Sequence, residues 1–261
     1  MSEKTNVTNY EFPTAIIELP SAGKCYPSTS PLSHGTISIK YMTAREEDIL
    51  SSQNYIKKGI VLDKLFESIV VEPDVNLNDI IIGDKNAILM STRILGYGPE
   101  YEVSVNDPFS GEQQTVVIDL SKIQTKDIDI NLLNSDNLYE FKLPRGGNIV
   151  KFKLLTHGDE VEITRELASI KRNNKSQQLQ DVDISTRLRY MIQSVDDKSD
   201  IAYINKWIKN EFLAIDVRKF REYVKSISPD IDLKFNFVSD VTGDTEALNI
   251  PIGINFFYPT N

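Results

Sequence analysis

The stretch IGDKNAILMSTRILGYGPEYEVSV, residues 82–105, changes from the residue spacing of a helix to that of a strand. Gly83 begins a predicted helix with apolar residues at helical spacing, and Gly96 marks its end. Pro99 prevents the helix from continuing, because proline lacks the backbone N–H that a helix interior needs. Over residues 101–105 apolar and polar side chains alternate, which predicts a half-buried strand. Helix and strand are therefore predicted here as separate blocks.

Upstream of this stretch, the pattern predicts short strands and then helices. The predicted elements are a strand at 15–20 stopped by proline, a strand at 36–41, a helix at 44–57 and a helix at 61–70. Thr43 and Glu46 have the spacing of a capping box, in which side chains satisfy free backbone N–H groups at a helix start. Gly59 is typical of a residue that ends a helix.

Downstream of the stretch, β-hairpins are interleaved with helices. The predicted hairpins pair residues 101–105 with 115–120, 139–143 with 149–155, and 233–237 with 248–256. Four helices are predicted after the second hairpin. The first runs from 156 to 171, and the second is marked by Leu188, Ile192 and Val195. The third begins at a cap at Ser199 and the fourth at a cap at Asp216. Because strands and helices come in blocks, we predict an α+β fold of helical bundles interleaved with antiparallel β-hairpins.

The order of these elements is compatible with two related halves. In each half a helical block is followed by a hairpin whose turn contains Asp and then Gly, at Asp107 and Gly111 and at Asp240 and Gly243. Alternatively, the likeness reflects only that Asp and Gly are common turn residues. The predicted segments are 1–121 with the N-terminal strands, helical block and first hairpin, 122–137 as a linker, and 138–261 with the second hairpin, helical block and C-terminal hairpin.

The composition is ordinary for a globular chain and argues against several classes of protein. Of 261 residues, 40% are hydrophobic and 26% are charged, and the formal net charge is −9. Such an acidic chain lacks the basic face with which a general nucleic-acid-binding protein neutralises phosphates. No apolar run approaches the roughly 20 residues of a membrane span, and the polar first residues lack an apolar signal core. We therefore expect an intracellular protein that binds neither nucleic acid nor membrane.

The residues that most often carry chemistry are few and scattered. His34 and His157 stand at no metal-ligand spacing, and Cys25, the one cysteine, can form no internal disulfide and lacks a nucleophile signature. The run at 196–200 lacks the glycine and glutamate of a calcium loop and is better explained as helix capping. The glycine pair at 146–147 suits a hairpin turn rather than a phosphate loop. We therefore predict no metal, no cofactor and no enzymatic activity.

Two groups of residues are candidates for contact with a partner. Lys57 and Lys58 form a basic pair, which is either a solvated helix face or a contact point for an acidic partner. The aromatic run of Phe256, Phe257 and Tyr258 would place adjacent rings on opposite faces of a strand. One face could then anchor a partner, since aromatic residues are favoured in interfaces. The alternative is that both phenylalanine rings lie in the chain's own core.

Several longer strings resemble one protein family. They are LPSxGKxYP (19–27), MTAREEDIL (42–50), YIKKGIVLD (55–63), IGDKNA (82–87), TRILGYGPEY (92–101) and IPIGINFFYP (250–259). Together they are similar to the baseplate-protein family of T4-like tailed bacteriophages, whose members are baseplate hub subunits or hub assembly proteins. The resemblance spans nearly the whole chain.

The resemblance implies a function in tail assembly. It implies a baseplate hub protein that promotes or takes part in assembly by contacts with other hub or tail proteins, in the virion or in the host cytoplasm. An alternative in the same setting is a chaperone that shields the tape-measure protein and is absent from the mature virion. The family resemblance also implies cysteine pairs at the hairpin turns of relatives, in the manner of a zinc ribbon. Here these turns read DPFSG (107–111) and DVTG (240–243), so no zinc is implied for this chain.

Overall fold

A computed structural model describes residues 13–173 and 183–257. The helices are α1 Ala44–Ser51, α2 Gln53–Lys58, α3 Val61–Ile69, α4 Ile82–Tyr97, α5 His157–Asn173, α6 Asp183–Met191, α7 Ile201–Asn210 and α8 Ala214–Ile227. The strands are β1 Thr14–Glu18, β2 Thr36–Lys40, β3 Glu100–Asn106, β4 Gln113–Asp119, β5 Tyr139–Lys142, β6 Ile149–Phe152, β7 Ile192–Val195, β8 Lys234–Val238 and β9 Thr245–Asn249. Blocks of helices alternate with antiparallel strand pairs, which confirms the predicted α+β fold.

The strands form small sheets rather than one continuous sheet. β1 pairs with β2, β3 with β4, and β8 with β9, while β5, β6 and β7 form a three-stranded sheet. The three predicted hairpins are present, although the return strand of the last one is Thr245–Asn249 rather than 248–256. In addition, β7 replaces the end of a predicted helix. The sequence predicts that this helix includes Ile192 and Val195, yet α6 ends at Met191 and the next four residues form β7, in which Ile192, Ser194 and Val195 pair with β6. The apolar spacing of these residues fits either a helix or a strand. β-branched residues suit a strand, and pairing with β6 decides between the two.

The helix predicted at 44–57 is two helices. Ser52, with φ −65° and ψ 105°, ends α1 and caps α2, so the chain turns between them. The predicted capping box at the start of α1 is confirmed, because Glu46 Oε2 accepts a hydrogen bond from the Thr43 backbone N–H at 2.9 Å. Since Ser is a good helix cap, the break has a local cause that the apolar spacing alone did not reveal.

Two predicted helix caps are displaced. Asp200 rather than Ser199 caps α7, where its carboxylate accepts from the backbone N–H of Tyr203 at 2.7 Å. Asp216 does not cap α8 but lies buried within its first turn. Its carboxylate binds the β5–β6 turn instead, accepting from the backbone N–H groups of Arg145 at 2.8 Å and Gly146 at 2.7 Å. The helix start thereby fixes the position of a hairpin.

Among the described residues, those on both sides of the predicted boundary contribute to one hydrophobic core. Within the predicted linker 122–137, the backbone N–H of Lys126 donates to the Asp230 carbonyl at 2.8 Å. Gly83, at the start of α4, lies so close to a later loop that an added Cβ would sit 1.7 Å from the carbonyl oxygen of Pro229. The linker is thus a hydrogen-bonded segment between packed parts of the chain.

Candidate partner-binding surfaces

A buried carboxylate joins two of the family-like strings. Asp84 is fully buried and accepts hydrogen bonds from the Ser21 backbone N–H at 2.9 Å, the Ser21 hydroxyl at 2.6 Å and the Tyr26 hydroxyl at 2.6 Å. The Tyr26 oxygen accepts in turn from the backbone N–H of Ile81 at 3.1 Å. Burial raises the pKa of Asp84, although its hydrogen bonds act in the opposite direction. The N-terminal loop is therefore bound to the first turn of α4.

The C-terminal segment differs from the strand predicted over 248–256. β9 ends at Asn249, and Ile254–Phe257 form a turn of 3-10 helix. Pro251 lacks the N–H that strand pairing requires, which gives a physical reason for the early end. The aromatic residues that follow therefore do not alternate across a sheet.

Both phenylalanines of the C-terminal run lie in the core, with no exposed surface. The Arg93 side chain donates from Nε to the Phe256 carbonyl at 2.9 Å. The Phe256 ring packs edge to face on Tyr101, with the ring centroids 5.0 Å apart. The prediction that Phe256 or Phe257 contacts a partner is therefore wrong for the folded chain, and the alternative of burial in the chain's own core is the one observed. Tyr258 lies outside the described residues.

Lys57 and Lys58 are exposed in the last turn of α2, as a contact surface requires. They lie between Ile56 and Gly59, which line a cleft of about 540 Å³. Its apolar wall consists of Ile56, Val61, Leu62, Ile82, Leu89, Ile252 and Ile254. We call it the lysine cleft because Lys57 and Lys58 lie in the chain between two of its lining residues.

Carboxylates in the lysine cleft are bound to cations of the same chain. Lys85 Nζ lies 2.7 Å from Asp63 Oδ1 and 2.9 Å from Nδ1 of His157. Burial and the neighbouring Lys85 charge lower the pKa of His157. Glu160 forms an ion pair with Arg187. Asp63 and Glu160, the carboxylates among the residues that line the cleft, are therefore both paired within the chain.

The turns of the β3–β4 and β8–β9 hairpins have the same hydrogen bonds. In the first turn, the Gly111 N–H donates to the Asp107 carbonyl at 2.8 Å, and in the second the Gly243 N–H donates to the Ser239 carbonyl at 2.9 Å. Each first residue also accepts, through its side-chain oxygen, from backbone N–H groups two and three residues later. The counterpart of Asp107 is therefore Ser239, and the predicted equivalence of Asp107 with Asp240 is wrong.

The two turns lie side by side and are bound to each other. The Ser239 hydroxyl donates to Asp107 Oδ2 at 2.5 Å. Gln114 bridges the hairpins, since its Nε2 donates to the Val238 carbonyl at 2.9 Å and its Oε1 accepts from the Asp240 N–H at 3.0 Å. We call the joined hairpins, residues 100–119 and 234–249, the hairpin head. Sequence reasoning noted the likeness of the turns but gave no sign that they touch.

The hairpin head combines exposed apolar side chains with negative charge. Phe109 and Val241 occupy equivalent turn positions and are 43% and 60% exposed, and Val238 nearby is 50% exposed. The exposed carboxylates near the two turns are Glu112, Asp240, Asp244 and Glu246, whereas Glu100, Glu102 and Asp119 lie at the opposite end of the first hairpin and Asp107 is buried. An exposed apolar patch surrounded by charge is typical of a protein-binding surface.

No protein-family model, curated protein or solved structure gave a significant match to the chain. None of the helices in residues 13–173 and 183–257 has both the length and the apolar composition of a membrane span. Over the same ranges, no three His, Cys, Asp or Glu side chains are grouped so that they could hold a metal ion.

Proposed function

We propose that the chain is a baseplate hub protein of a T4-like tailed bacteriophage. It promotes or takes part in tail assembly by binding other hub or tail proteins, without catalysing a reaction. The family resemblance is the origin of this proposal, and the three-dimensional positions of the matching strings support it.

The observation that carries the proposal is the mutual contact of strings that are distant in sequence. Ser21 and Tyr26 of the first string bind Asp84 of the fourth, and Arg93 of the fifth binds the carbonyl of Phe256 in the last. Segments that form buried networks with one another are what a shared fold requires, since buried polar groups must keep their partners.

The surfaces of the chain suit a function that depends on contact. The hairpin head exposes Phe109 and Val241, and the lysine cleft has an apolar wall. Lys57 and Lys58 are exposed and adjoin two of its lining residues in the chain. Surfaces of this kind bury apolar area on association, and their charges select the partner. A hub protein with two separate contact surfaces could hold two neighbours together.

Deletion of the gene from the phage that encodes the chain tests the proposal. We expect particles with incomplete baseplates, seen by electron microscopy of purified tails, and rescue by the wild-type gene supplied in trans. Normal baseplates and normal infectivity after deletion would contradict the proposal.

Mass spectrometry of purified wild-type particles separates a subunit from an assembly factor. A stoichiometric amount of the chain indicates a hub subunit. If the chain is absent from particles but bound to the tape-measure protein in infected cells, the chaperone alternative is correct instead.

A further inference from the structure

We propose that Asp63, Lys85 and His157 form a proton-controlled latch at the lysine cleft. While the His157 imidazole is neutral, it holds the Lys85 ammonium between α4 and α5. When the imidazole takes up a proton, Lys85 is released into the cleft and Asp63 becomes the partner of His157. The latch is independent of the proposed function, because it follows from three side chains of the chain itself.

The three side chains come from three different helices. Asp63 lies on α3 and Lys85 on α4, and both line the lysine cleft. His157 is the first residue of α5, and its side chain is 2% exposed. Its backbone N–H donates to the Ile80 carbonyl at 2.7 Å, just before α4. A change at His157 therefore acts where the start of α5 joins the start of α4.

The contact between Lys85 and His157 exists in one protonation state alone. Lys85 Nζ lies 2.9 Å from Nδ1 of His157. An ammonium group only donates hydrogen bonds, so Nδ1 must accept and the ring proton must lie on Nε2. A doubly protonated imidazolium has no acceptor nitrogen. Protonation of His157 therefore breaks this hydrogen bond and places two positive charges side by side.

Asp63 is placed to bind either cation. Its Oδ1 lies 2.7 Å from Lys85 Nζ and 3.7 Å from His157 Nδ1. While His157 is neutral, the carboxylate pairs with Lys85. Once Nδ1 carries a proton, a small approach of the same oxygen gives a hydrogen bond to His157, since such bonds span about 2.7–3.2 Å. The repelled ammonium then moves toward the water of the cleft that Lys85 lines.

Other charged groups on the elements around His157 are paired elsewhere. They are Glu67 with Lys64, Glu160 with Arg187, Asp159 with Lys153, and Asp79 with Asn76. Burial and the charge of Lys85 lower the pKa of His157, whereas Asp63, Glu67 and Glu160 act in the opposite direction. Asp63 is therefore the carboxylate that changes partner in the latch.

The latch makes the junction of α4 and α5 sensitive to mildly acidic pH. In the unfolded chain a histidine has a pKa of about 6.5, and in the folded chain the pKa of His157 is lower. The stability that depends on neutral His157 is therefore complete above about pH 6.5. It is lost as the pH falls from there through the folded-state value, because the unfolded chain binds the proton more readily. Over the same range, the released Lys85 adds positive charge to the cleft.

NMR of the histidine rings in the purified full chain tests the latch. The chain has two histidines, so a His34→Gln variant assigns their resonances. We expect long-range ¹H–¹⁵N spectra to show the proton of neutral His157 on Nε2. We also expect the pKa of His157 to lie below that of histidine in the urea-unfolded chain.

Two substitutions should shift the pKa of His157 in opposite directions. Lys85→Met removes the ammonium and should raise this pKa, whereas Asp63→Asn removes the carboxylate and should lower it further. Lys126→Met is the matched control, because Lys126 is likewise paired with a carboxylate, 3.1 Å from Asp230. This control should leave the titration of His157 as it is in the wild type.

Amide hydrogen exchange measures the opening of the junction. The N–H of His157 donates to the Ile80 carbonyl, and the N–H of Ile82 donates to the Leu155 carbonyl. Both amides should lose protection about tenfold or more once His157 is protonated, as expected for the loss of a hydrogen bond to a charged group. His157→Asn retains a side-chain acceptor and takes up no proton, so it should abolish this pH dependence.

Circular dichroism verifies that every variant is folded, and the wild-type spectra test the latch without any substitution. A neutral His157 with its proton on Nδ1 overturns the proposal. If the pKa of His157 stays equally low in Lys85→Met, burial alone sets it and the latch is wrong. The proposal is also overturned if His157→Asn shows the same pH-dependent loss of protection as the wild type.

Discussion

The hydroxyl of Ser239 donates a hydrogen bond to the carboxylate of Asp107, a residue 132 positions earlier in the chain. Each of the two residues also organises its own turn by accepting from backbone N–H groups. Burial alone would raise the pKa of Asp107, but hydrogen bonds from Ser239, Phe109 and Ser110 lower it. One contact thus joins two turns that are already similar to each other.

Removing this contact should loosen the hairpin head. We predict that Ser239→Ala lowers the free energy of unfolding by about 1–2 kcal/mol, because Asp107 loses a donor and the second turn loses an acceptor. Urea unfolding measures the change, and amide hydrogen exchange should speed up at both turns. Asp240→Ala, at the exposed neighbouring position, is the control and should have little effect on the first turn. Equal effects of the two substitutions would contradict a specific role for Ser239.

The paired turns should accept a metal ion if their side chains are replaced by thiols. Asp107 and Ser110, and Ser239 and Thr242, have the two-residue separation of cysteine pairs in structural zinc sites. We predict that changing all four to cysteine produces a chain that binds one zinc ion and is stabilised by it. Elemental analysis of the purified variant and its loss of stability with a chelator measure this. A variant with Thr242 retained should bind zinc more weakly, and failure of the four-cysteine chain to bind zinc would show that the turns do not converge.

The carboxylate of Glu46 should make stability depend on pH in the acidic range. Burial alone would raise its pKa, but hydrogen bonds from Lys40, Ser68 and Thr43 lower it from 4.5 to about 2. An acid with a lowered pKa stabilises the fold above its unfolded-state value, and this contribution is lost as the pH falls through the folded-state value. We predict that Glu46→Gln costs about 2 kcal/mol at pH 7 and progressively less between pH 4.5 and 2.

Unfolding in urea across this pH range provides the measurement for Glu46. Asp48→Asn, at an exposed position of the same helix, is the matched control and should show a small difference at every pH. A Glu46→Gln penalty that stays constant down to pH 2 would rule out the assigned hydrogen bonds as its cause.

Phe256, which is buried near the end of the described residues, should contribute to stability. We predict that Phe256→Ala lowers the free energy of unfolding by about 3–5 kcal/mol, the usual cost of removing a core aromatic side chain. Phe109→Ala removes an equal side chain from the surface and should change it by less than about 0.5 kcal/mol. Thermal or urea unfolding compares the two. A small effect at Phe256 would contradict its placement in the core.

Local sequence patterns predicted most elements but not their contacts. The capping box at Thr43 and the hairpin turns are determined by neighbouring residues, so sequence spacing was sufficient for them. Ile192 and Val195 fit a helix or a strand, and only pairing with β6 decided between them. Ser52 and Pro251 are local signals for the helix break and for the strand end. The apolar pattern around each of them nevertheless predicted a longer element.

The candidate surfaces were predicted only in part. The exposure of Lys57 and Lys58 followed from their place at a helix end beside Gly59. The hairpin head could not be predicted, because it depends on turns that are far apart in the chain and meet only after folding. The aromatic run at residue 256 was ambiguous for the same reason: its burial depends on Arg93 and Tyr101, which no local pattern connects to it.

The bond from Arg93 to the Phe256 carbonyl spans 163 positions, and this affects how the protein forms on the ribosome. A nascent chain that has emerged only as far as β9 lacks the carbonyl that Arg93 binds and the ring that covers Tyr101. Domains generally fold as units during synthesis, so this part of the core closes only after residue 257 has left the exit tunnel. Until then, the emerging polypeptide exposes apolar surface that chaperones of the translating cell could recognise.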